Sequence, residues 1–406
     1  MKLLHTADWH LGKRLGDFSR LAEQREVLEE ICSIAEAEAV DAVLIAGDLF
    51  DTFNPPNEAL ELFYRTVHRL SDNGARAVIA IAGNHDSPDR VEAPDPLARE
   101  CGIVFVGRPG SVVPSFKTAA GIEVQHAEPG FVALRLPNCV DPLRLILTPY
   151  ANETTLKRFL GDDDRDQSLR EVLRHDWQRL ADAHCDARGV NILMAHLYFR
   201  QRDGPAPEEP DDEKPILHVG GASAVFTEDM PAPVQYAALG HLHRYQIVST
   251  TPGPVCYSSS PLAYSFAEAD QQKQVVLVEV EAGGEAQVRP VALRAGRRLC
   301  RQRFTEVDAA IEWLEGHPNT FVELTLVSNS YLEGKLKRAL YAAHDGIVSI
   351  IPEIATAEGE AAGEEGIDLS KDLRTLFTDY FRAKRGQEPN EELLTLFDEV
   401  LGTESD

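Results

Sequence analysis

Of the 406 residues only six are cysteine, at 32, 101, 139, 185, 256 and 300, and no two form a Cys-x-x-Cys pair. That scarcity excludes a zinc ribbon and a disulfide framework, and it suits a reducing compartment where thiols act as small buried hydrophobes. Long apolar runs are missing as well: no window approaches the ~18 consecutive apolar residues of a membrane helix. The N-terminus leads straight into a strand-like run, with no charged region, apolar stretch and cleavage site ahead of it. A cytoplasmic protein with no membrane partner is expected. Positive charge is also short, with 40 Lys+Arg against 66 Asp+Glu and a net charge of −26. Phosphate contacts come mainly from Lys and Arg, so this composition disfavours a generic nucleic-acid binder. The acid is uneven, however: residues 353–406 hold 15 Asp/Glu against 5 Lys/Arg. A divalent metal pair would also change the local field whatever the net charge.

What is present is an ordinary globular composition, 43% hydrophobic and 26% charged, with length for two or three domains. Five short polar clusters carry most of the information. They are Asp8-Trp9-His10, Gly47-Asp48-Leu49-Phe50-Asp51, Gly83-Asn84-His85-Asp86, Ala195-His196 and Gly240-His241-Leu242-His243. Each follows an apolar run, at 2–6, 42–46, 77–82, 190–194 and 236–239, that reads as a buried strand. Ligands of open α/β sheets bind beyond the carboxyl ends of the strands. Five strand ends therefore deliver carboxylate, amide and imidazole groups to one edge, as a site for two metals requires.

The spacing supports that chemistry. Asp8 and His10 are two apart and, if strand geometry continues, project from one face, as do His241 and His243. Asp48 follows a glycine that admits close approach, and its two oxygens make it the natural bridge between ions ~3.5–4 Å apart. Asn84 offers an amide oxygen and His196 an imidazole. With no thiolate in the set, Mn²⁺, Fe²⁺ or Zn²⁺ suits it better than Mg²⁺ or a structural zinc, and ligand type does not choose among them. Two such ions suit phosphoryl hydrolysis. His85 can then protonate the leaving oxygen or hydrogen-bond the phosphate. Asp86 either holds the His85 ring in one tautomer or caps the Ser87-Pro88 turn, and Asp51 can support the site or touch substrate. One cluster alone would be a satisfied histidine or a turn; the ordered set of five is not.

These motifs, Asp-x-His, Gly-Asp-x-x-Asp, Gly-Asn-His-Asp, a lone strand-end His and Gly-His-x-His, resemble the calcineurin-like metallophosphoesterase family. The longer strings Leu-His-Thr-Ala-Asp-Trp-His-Leu-Gly, Ala-Gly-Asp-Leu-Phe-Asp-Thr-Phe-Asn-Pro-Pro, Leu-Gly-His-Leu-His-Arg-Tyr-Gln and Tyr-Ser-Ser-Ser-Pro-Leu-Ala-Tyr-Ser-Phe are similar to its bacterial DNA nuclease branch. The resemblance implies a layered α/β/β/α sandwich and a manganese-dependent nuclease on DNA ends and hairpins. It also implies a homodimer partnered by a coiled-coil ATPase. It places one ion with Asp8, His10, Asp48 and His243, the other with Asp48, Asn84, His196 and His241, and makes His85 the catalytic histidine.

Along the chain, residues 1–290 read as the α/β nuclease domain, with helices over 20–38, 57–73 and 169–187. Residues 103–106, 122–126, 131–136 and 143–148 read as short strands of a second sheet, and 274–281 as a late strand. Residues 201–213 form either a substrate-side flap or a surface insertion. A small α+β capping domain follows over 294–353, then an acidic linker over 354–366. A helix-loop-helix over 367–402 comes last, its apolar stripe (Leu373, Leu376, Phe377, Tyr380, Phe381; Leu393, Leu394, Phe397) serving to dock the ATPase or folding back on its own domain. Lys13, Arg14 and Arg244 lie close to the metal clusters in sequence. Arg294, Arg297, Arg298, Arg301 and Arg303 form the densest basic stretch, and all eight are candidate DNA contacts. The helix at 57–70, with Leu60, Phe63, Tyr64 and Val67, either pairs two protomers or packs on the sheet. The competing functions are a phosphatase or phosphodiesterase acting on a small molecule or phosphoprotein, and a scaffold that only binds a partner.

Overall fold

A computed structural model describes residues 1–150, 165–208, 225–328 and 334–354, together with 374–378, 381, 389, 393–394 and 397 of the C-terminal stretch. Two compact units are present, one of Met1–Val327 with Leu332–Glu353 and one of Ser328–Tyr331 with Ile354–Asp406.

The first unit opens as β1 (Lys2–Thr6), α1 (Leu21–Ala37), β2 (Ala42–Ala46), α2 (Asn57–Leu70) and β3 (Ala77–Ile81), followed by β4 (Ile103–Val106). Next come β5 (Glu123–Glu128), β6 (Phe131–Arg135), β7 (Leu143–Thr148), α3 (Arg165–His184) and β8 (Val190–His196). The body closes with β9 (Tyr236–Gly240), β10 (Gln246–Ser249), β11 (Val255–Tyr257), β12 (Gln274–Glu279) and β13 (Gln287–Ala292). Six strands form one sheet in the order β13-β12-β1-β2-β3-β4, and seven form another in the order β10-β11-β9-β8-β7-β6-β5.

Alternation along each strand sets the layers, because successive side chains leave a strand on opposite faces. Leu4, Val43, Ile45, Val78 and Ala80 pack outward against Val27, Leu28 and Ile31 of α1 and Leu62, Phe63 and Val67 of α2. Their neighbours Leu3, Leu44, Ala46, Ile79 and Ile81 point inward and meet Leu145, Ile192, Met194 and Ala238 of the second sheet. The far face of that sheet takes Leu173, Trp177 and Leu180 of α3. Helix, sheet, sheet, helix is thus the layer order.

One expectation is corrected here. Strand β4 belongs to the first sheet, parallel to β3, and not to the second. Parallel register beside β3 follows from the short helical crossover between them. In α2, Phe63 and Val67 are buried against the sheet, the packing reading of this helix, while Tyr64 points out. The basic stretch at 298–304 is itself a strand, β14 (Arg298–Phe304), with Arg298, Arg301 and Arg303 exposed and Leu299 buried.

Strand β14 pairs in parallel with β15 (Thr320–Ser328); α4 (Val307–Gly316), α5 (Gly334–Ala343) and β16 (Ile347–Ile354) complete a small α+β module. The module has its own core around Leu314, Val322, Leu324 and Leu340. Leu299 and Phe321 join Leu15 and Phe266 in a second cluster that seats it on the larger body. In the second unit, residues 374–378, 381, 393–394 and 397 are helical, and the Phe377 and Phe397 rings stack at 4.1 Å. Leu376, Phe377, Phe381, Leu393, Leu394 and Phe397 are half-buried, while Leu373 and Tyr380 lie outside the described residues. Among the described residues no helix is long and apolar enough to cross a membrane.

Candidate metal centre

The loops after β1 and β2 run side by side: Asp8 N donates to Gly47 O (3.0 Å), His10 N to Asp48 O (2.9 Å) and Leu11 N to Leu49 O (3.1 Å). Asp8, His10, Asp48 and His241 all have positive φ, at 55°, 43°, 49° and 106°. Left-handed backbone costs an L-residue roughly 1–2 kcal/mol. Four such residues at one place are strain that the surrounding structure holds. The strand argument for Asp8 and His10 is therefore corrected. Strand β1 ends at Thr6, and left-handed turns rather than pleat parity bring both side chains together.

Seven side chains converge in two groups. Asp8, His10 and His243 place ligand atoms within 4.8 Å of one another, with His10 Nε2 3.0 Å from His243 Nε2. Asn84 Oδ1 lies 3.1 Å from His196 Nε2 and 3.0 Å from His241 Nδ1. Between the groups sits Asp48 Oδ2, 3.5 Å from His10 Nε2 and 3.4 Å from His196 Nε2. Two glycines make the approach possible. A Cβ on Gly83 would stand 2.1 Å from Asp48 Oδ1, and one on Gly47 2.2 Å from His196 Nδ1.

The residues fit a divalent metal pair. Asp8 Oδ2 and His10 Nδ1 are buried without a hydrogen-bond partner, an arrangement that costs free energy until a cation or donor meets it. Imidazole nitrogens facing each other at hydrogen-bond distance likewise converge their lone pairs on a common point.

Charge in the pocket agrees. Burial acts to raise Asp48, but the charge of His196, their hydrogen bond and His10 outweigh it and hold the carboxyl well below its usual range. Burial acts to lower His196, and Asp48 outweighs that to raise it to about 9. Burial lifts Asp8 to about 7 and drops His241 to about 3, the latter helped by the charge on His196. Ligands must be deprotonated, so ion binding at pH 7.5 is expected to expel about one proton, chiefly from His196. The affinity should fall as pH drops below about 9, where that proton is held. Titration calorimetry in buffers of different ionisation enthalpy measures the proton count; a value of zero would refute a protonated His196.

A second layer orients the ligands, as is usual for metal-bound histidines. His243 Nδ1 lies 3.4 Å from Glu268 Oε1, and the Lys273 ammonium donates to the other Glu268 oxygen and to His243 O (2.8 Å). Burial would raise Glu268, but Lys273 and His243 hold it at about 2. Gln24 Nε2 donates to His10 O (2.8 Å), and the Tyr264 ring lies 5.5 Å from that of His10. Tyr150 stands 6.4 Å from the rings of both His196 and His241. None of these five emerges from spacing, since each is remote in sequence from the ligand it supports.

The expected catalytic trio divides. His85 N donates to Asp48 Oδ1 (2.9 Å), and its ring Nδ1 donates to Asp51 O (2.9 Å), leaving Nε2 for substrate. Asp51 bonds Lys13 through its carboxylate (2.9 Å). Asp86 neither orients His85 nor caps the Ser87-Pro88 turn. Its carboxylate accepts the amides of Gly83 (2.8 Å), Leu49 (3.0 Å) and Phe50 (2.9 Å), lashing two ligand loops together.

Several candidate DNA contacts are committed elsewhere. Arg244 pairs with Glu208, Arg297 with Asp345, Arg301 with Glu323 and Arg303 with Glu353, and Arg14 donates to Asp17 O. On β14 the pleat sets Arg301 beside Glu323 and Arg303 beside Glu353. Arg294 and Arg298 are exposed.

The calcineurin-like phosphoesterase family description matches residues 1–245, more than half the chain. The chain belongs to that family. A subunit of the nuclease SbcCD from Bacillus subtilis is 35% identical to this phosphoesterase over 98% of the chain and 97% of its own length. The corresponding SbcCD nuclease component of Rhodobacter capsulatus is 32% identical over 70% and 68%. Among solved structures, a dimetal phosphatase from Danio rerio covers 71% of the phosphoesterase and 98% of itself at 13% identity and TM-score 0.38. Family membership makes the phosphoesterase a divalent-metal enzyme acting on phosphoester bonds, in agreement with the carboxylates and imidazoles gathered in the pocket.

Proposed function

We propose that the protein is the Mn²⁺-dependent nuclease subunit of a complex with an SbcC-type coiled-coil ATPase, cleaving phosphodiester bonds at DNA ends and hairpins in repair and recombination. The observation that carries this reading is the convergence of Asp8, His10, Asp48, Asn84, His196, His241 and His243 in a chain aligned almost end to end with a subunit of the nuclease SbcCD. Asp8, His10, Asp48 and His243 would hold one ion, and Asp48, Asn84, His196 and His241 the other. When bound, the pair supplies Lewis acidity toward the phosphodiester and its attacking water. His85, with Nδ1 tied to Asp51 O, presents Nε2 to the phosphate or to the departing oxygen. Lys13, paired with the Asp51 whose main-chain oxygen anchors the His85 ring, would meet a phosphate.

On this reading the enzyme is a 3′–5′ double-strand exonuclease and a single-strand and hairpin endonuclease. It acts as a homodimer within a heterotetramer, in the cytoplasm. The module at 294–353 caps the DNA, residues 354–366 link, and the helices within 367–402 dock the ATPase. Net charge of −26 makes DNA affinity of the isolated chain weak, so the partner supplies much of the phosphate binding.

The test is cleavage of a labelled linear duplex and a DNA hairpin with Mn²⁺, alone and with the ATPase partner, beside para-nitrophenyl phosphate and a bis-ester analogue. Cleavage of both DNAs is expected, with the bis-ester outpacing the monoester. Turnover of the monoester with DNA untouched in every mixture would move the assignment to a small-molecule or phosphoprotein phosphatase.

A further inference from the structure

Outside the cleft, one other cluster among the described residues brings metal-binding side chains together. On edge strand β5, His126 and Glu128 stand two residues apart, and the last residue of α3, His184, reaches the same point. Their ligand atoms lie within 4.8 Å of one another. His184 Nε2 contacts Glu128 Oε1, and His126 Nε2 is 3.9 Å from that oxygen.

The backbone is shaped for this meeting. The β5–β6 register slips between Val124 and His126, leaving Gln125 as an extra residue. Val124 faces the inter-sheet core, and so does Ala127, three residues on. Unbroken alternation would have sent His126 inward with Val124. The bulge reverses the phase, placing His126 and Glu128 on the face that α3 covers, a known use of bulges to re-aim side chains. Neighbours fix the rest. Phe131 stacks on the His184 ring at 4.5 Å, and Arg179 Nη1 donates to Glu128 Oε2 (2.9 Å), leaving Oε1 toward the histidines.

We propose that His126, Glu128 and His184 bind a divalent transition ion of the zinc class, separately from the phosphoesterase cleft. Two imidazoles and a carboxylate are a common zinc donor set, with a fourth position left to water. Arg179 plays the outer role of holding the ligating carboxylate. The ion clips the end of α3 to an exposed sheet edge, an element that proteins otherwise have to cover.

The experiment is Co²⁺ titration of the full chain, followed by calorimetry and visible absorption, on wild type, His184→Ala and the near-isosteric Glu128→Gln. Circular dichroism and cleavage activity check that each variant is folded and its cleft intact. Wild type is expected to bind one equivalent more than either variant, and the variants to lose part of the tetrahedral Co²⁺ absorption. Equal stoichiometry and spectra in all three proteins would overturn the proposal and leave an ordinary ion pair. So would an extra equivalent appearing only above about 1 mM free ion.

Discussion

Replacing His85 by alanine is expected to slow phosphodiester cleavage by about 10²–10⁴-fold, the usual worth of a positioned acid or base, while both ions still bind. The separation follows from which atoms His85 contributes. Its backbone amide, not its ring, donates to the carboxylate of Asp48, and alanine keeps that amide. The ring is held by Asp51 O and touches none of the seven proposed ligands through a hydrogen bond among the described residues. Calorimetric metal stoichiometry measured beside cleavage rates decides the matter. An ion equivalent lost with the activity would make His85 a ligand and sink its assignment as the proton-handling group.

Asp86→Ala should do the reverse and damage the scaffold first. The Asp86 carboxylate is buried and accepts three main-chain amides from the loops that carry Asp48 and Asn84. Burial raises it to about 6, helped by the charge on Asp48, while the three amides pull it back toward the charged form. Each buried N–H left without an acceptor costs about 1–3 kcal/mol, so several kcal/mol of stability should go. Metal binding should go with it. Urea unfolding and metal titration test both statements; a variant with wild-type midpoint and two bound ions would show that the amides find other acceptors.

The two neighbours illustrate how far residue types alone reach. Apolar runs ending in Gly, Asp, Asn or His marked five strands and the seven side chains that converge beyond them, because buried parallel strands are nearly continuous in hydrophobicity and polar residues at their ends stand out. Asp86 sits in the same cluster, yet its role depends on where amides 36 and 37 residues away come to rest. Nothing in the letters records that. Strand β14 was hidden differently: three exposed arginines fall within seven residues around a single buried one, Leu299, and they read as a charge patch because the acids paired with Arg301 and Arg303 lie on other strands. Glu268 and Lys273 sit 25 and 30 residues beyond His243, too far for spacing to link them. The convergence of Asp8 and His10 was legible for an insufficient reason, since turns of left-handed backbone achieve what an extended strand would not have to.

The ligand set is also divided between the two sheets. Asp8, His10, Asp48 and Asn84 hang from β1, β2 and β3, while His196, His241 and His243 hang from β8 and β9. His196 already reaches across to Ala46 O (2.8 Å), and His241 N to Asp8 (2.9 Å). A bound ion pair would therefore act as a rivet through a sandwich, reinforcing a seam that apolar packing and these hydrogen bonds already hold. Any force that prises the sheets apart unloads the ions, and any ion that enters stiffens the joint. Catalytic readiness and mechanical integrity thus become one property, readable as slowed amide exchange along β1, β2, β8 and β9 when the pocket fills.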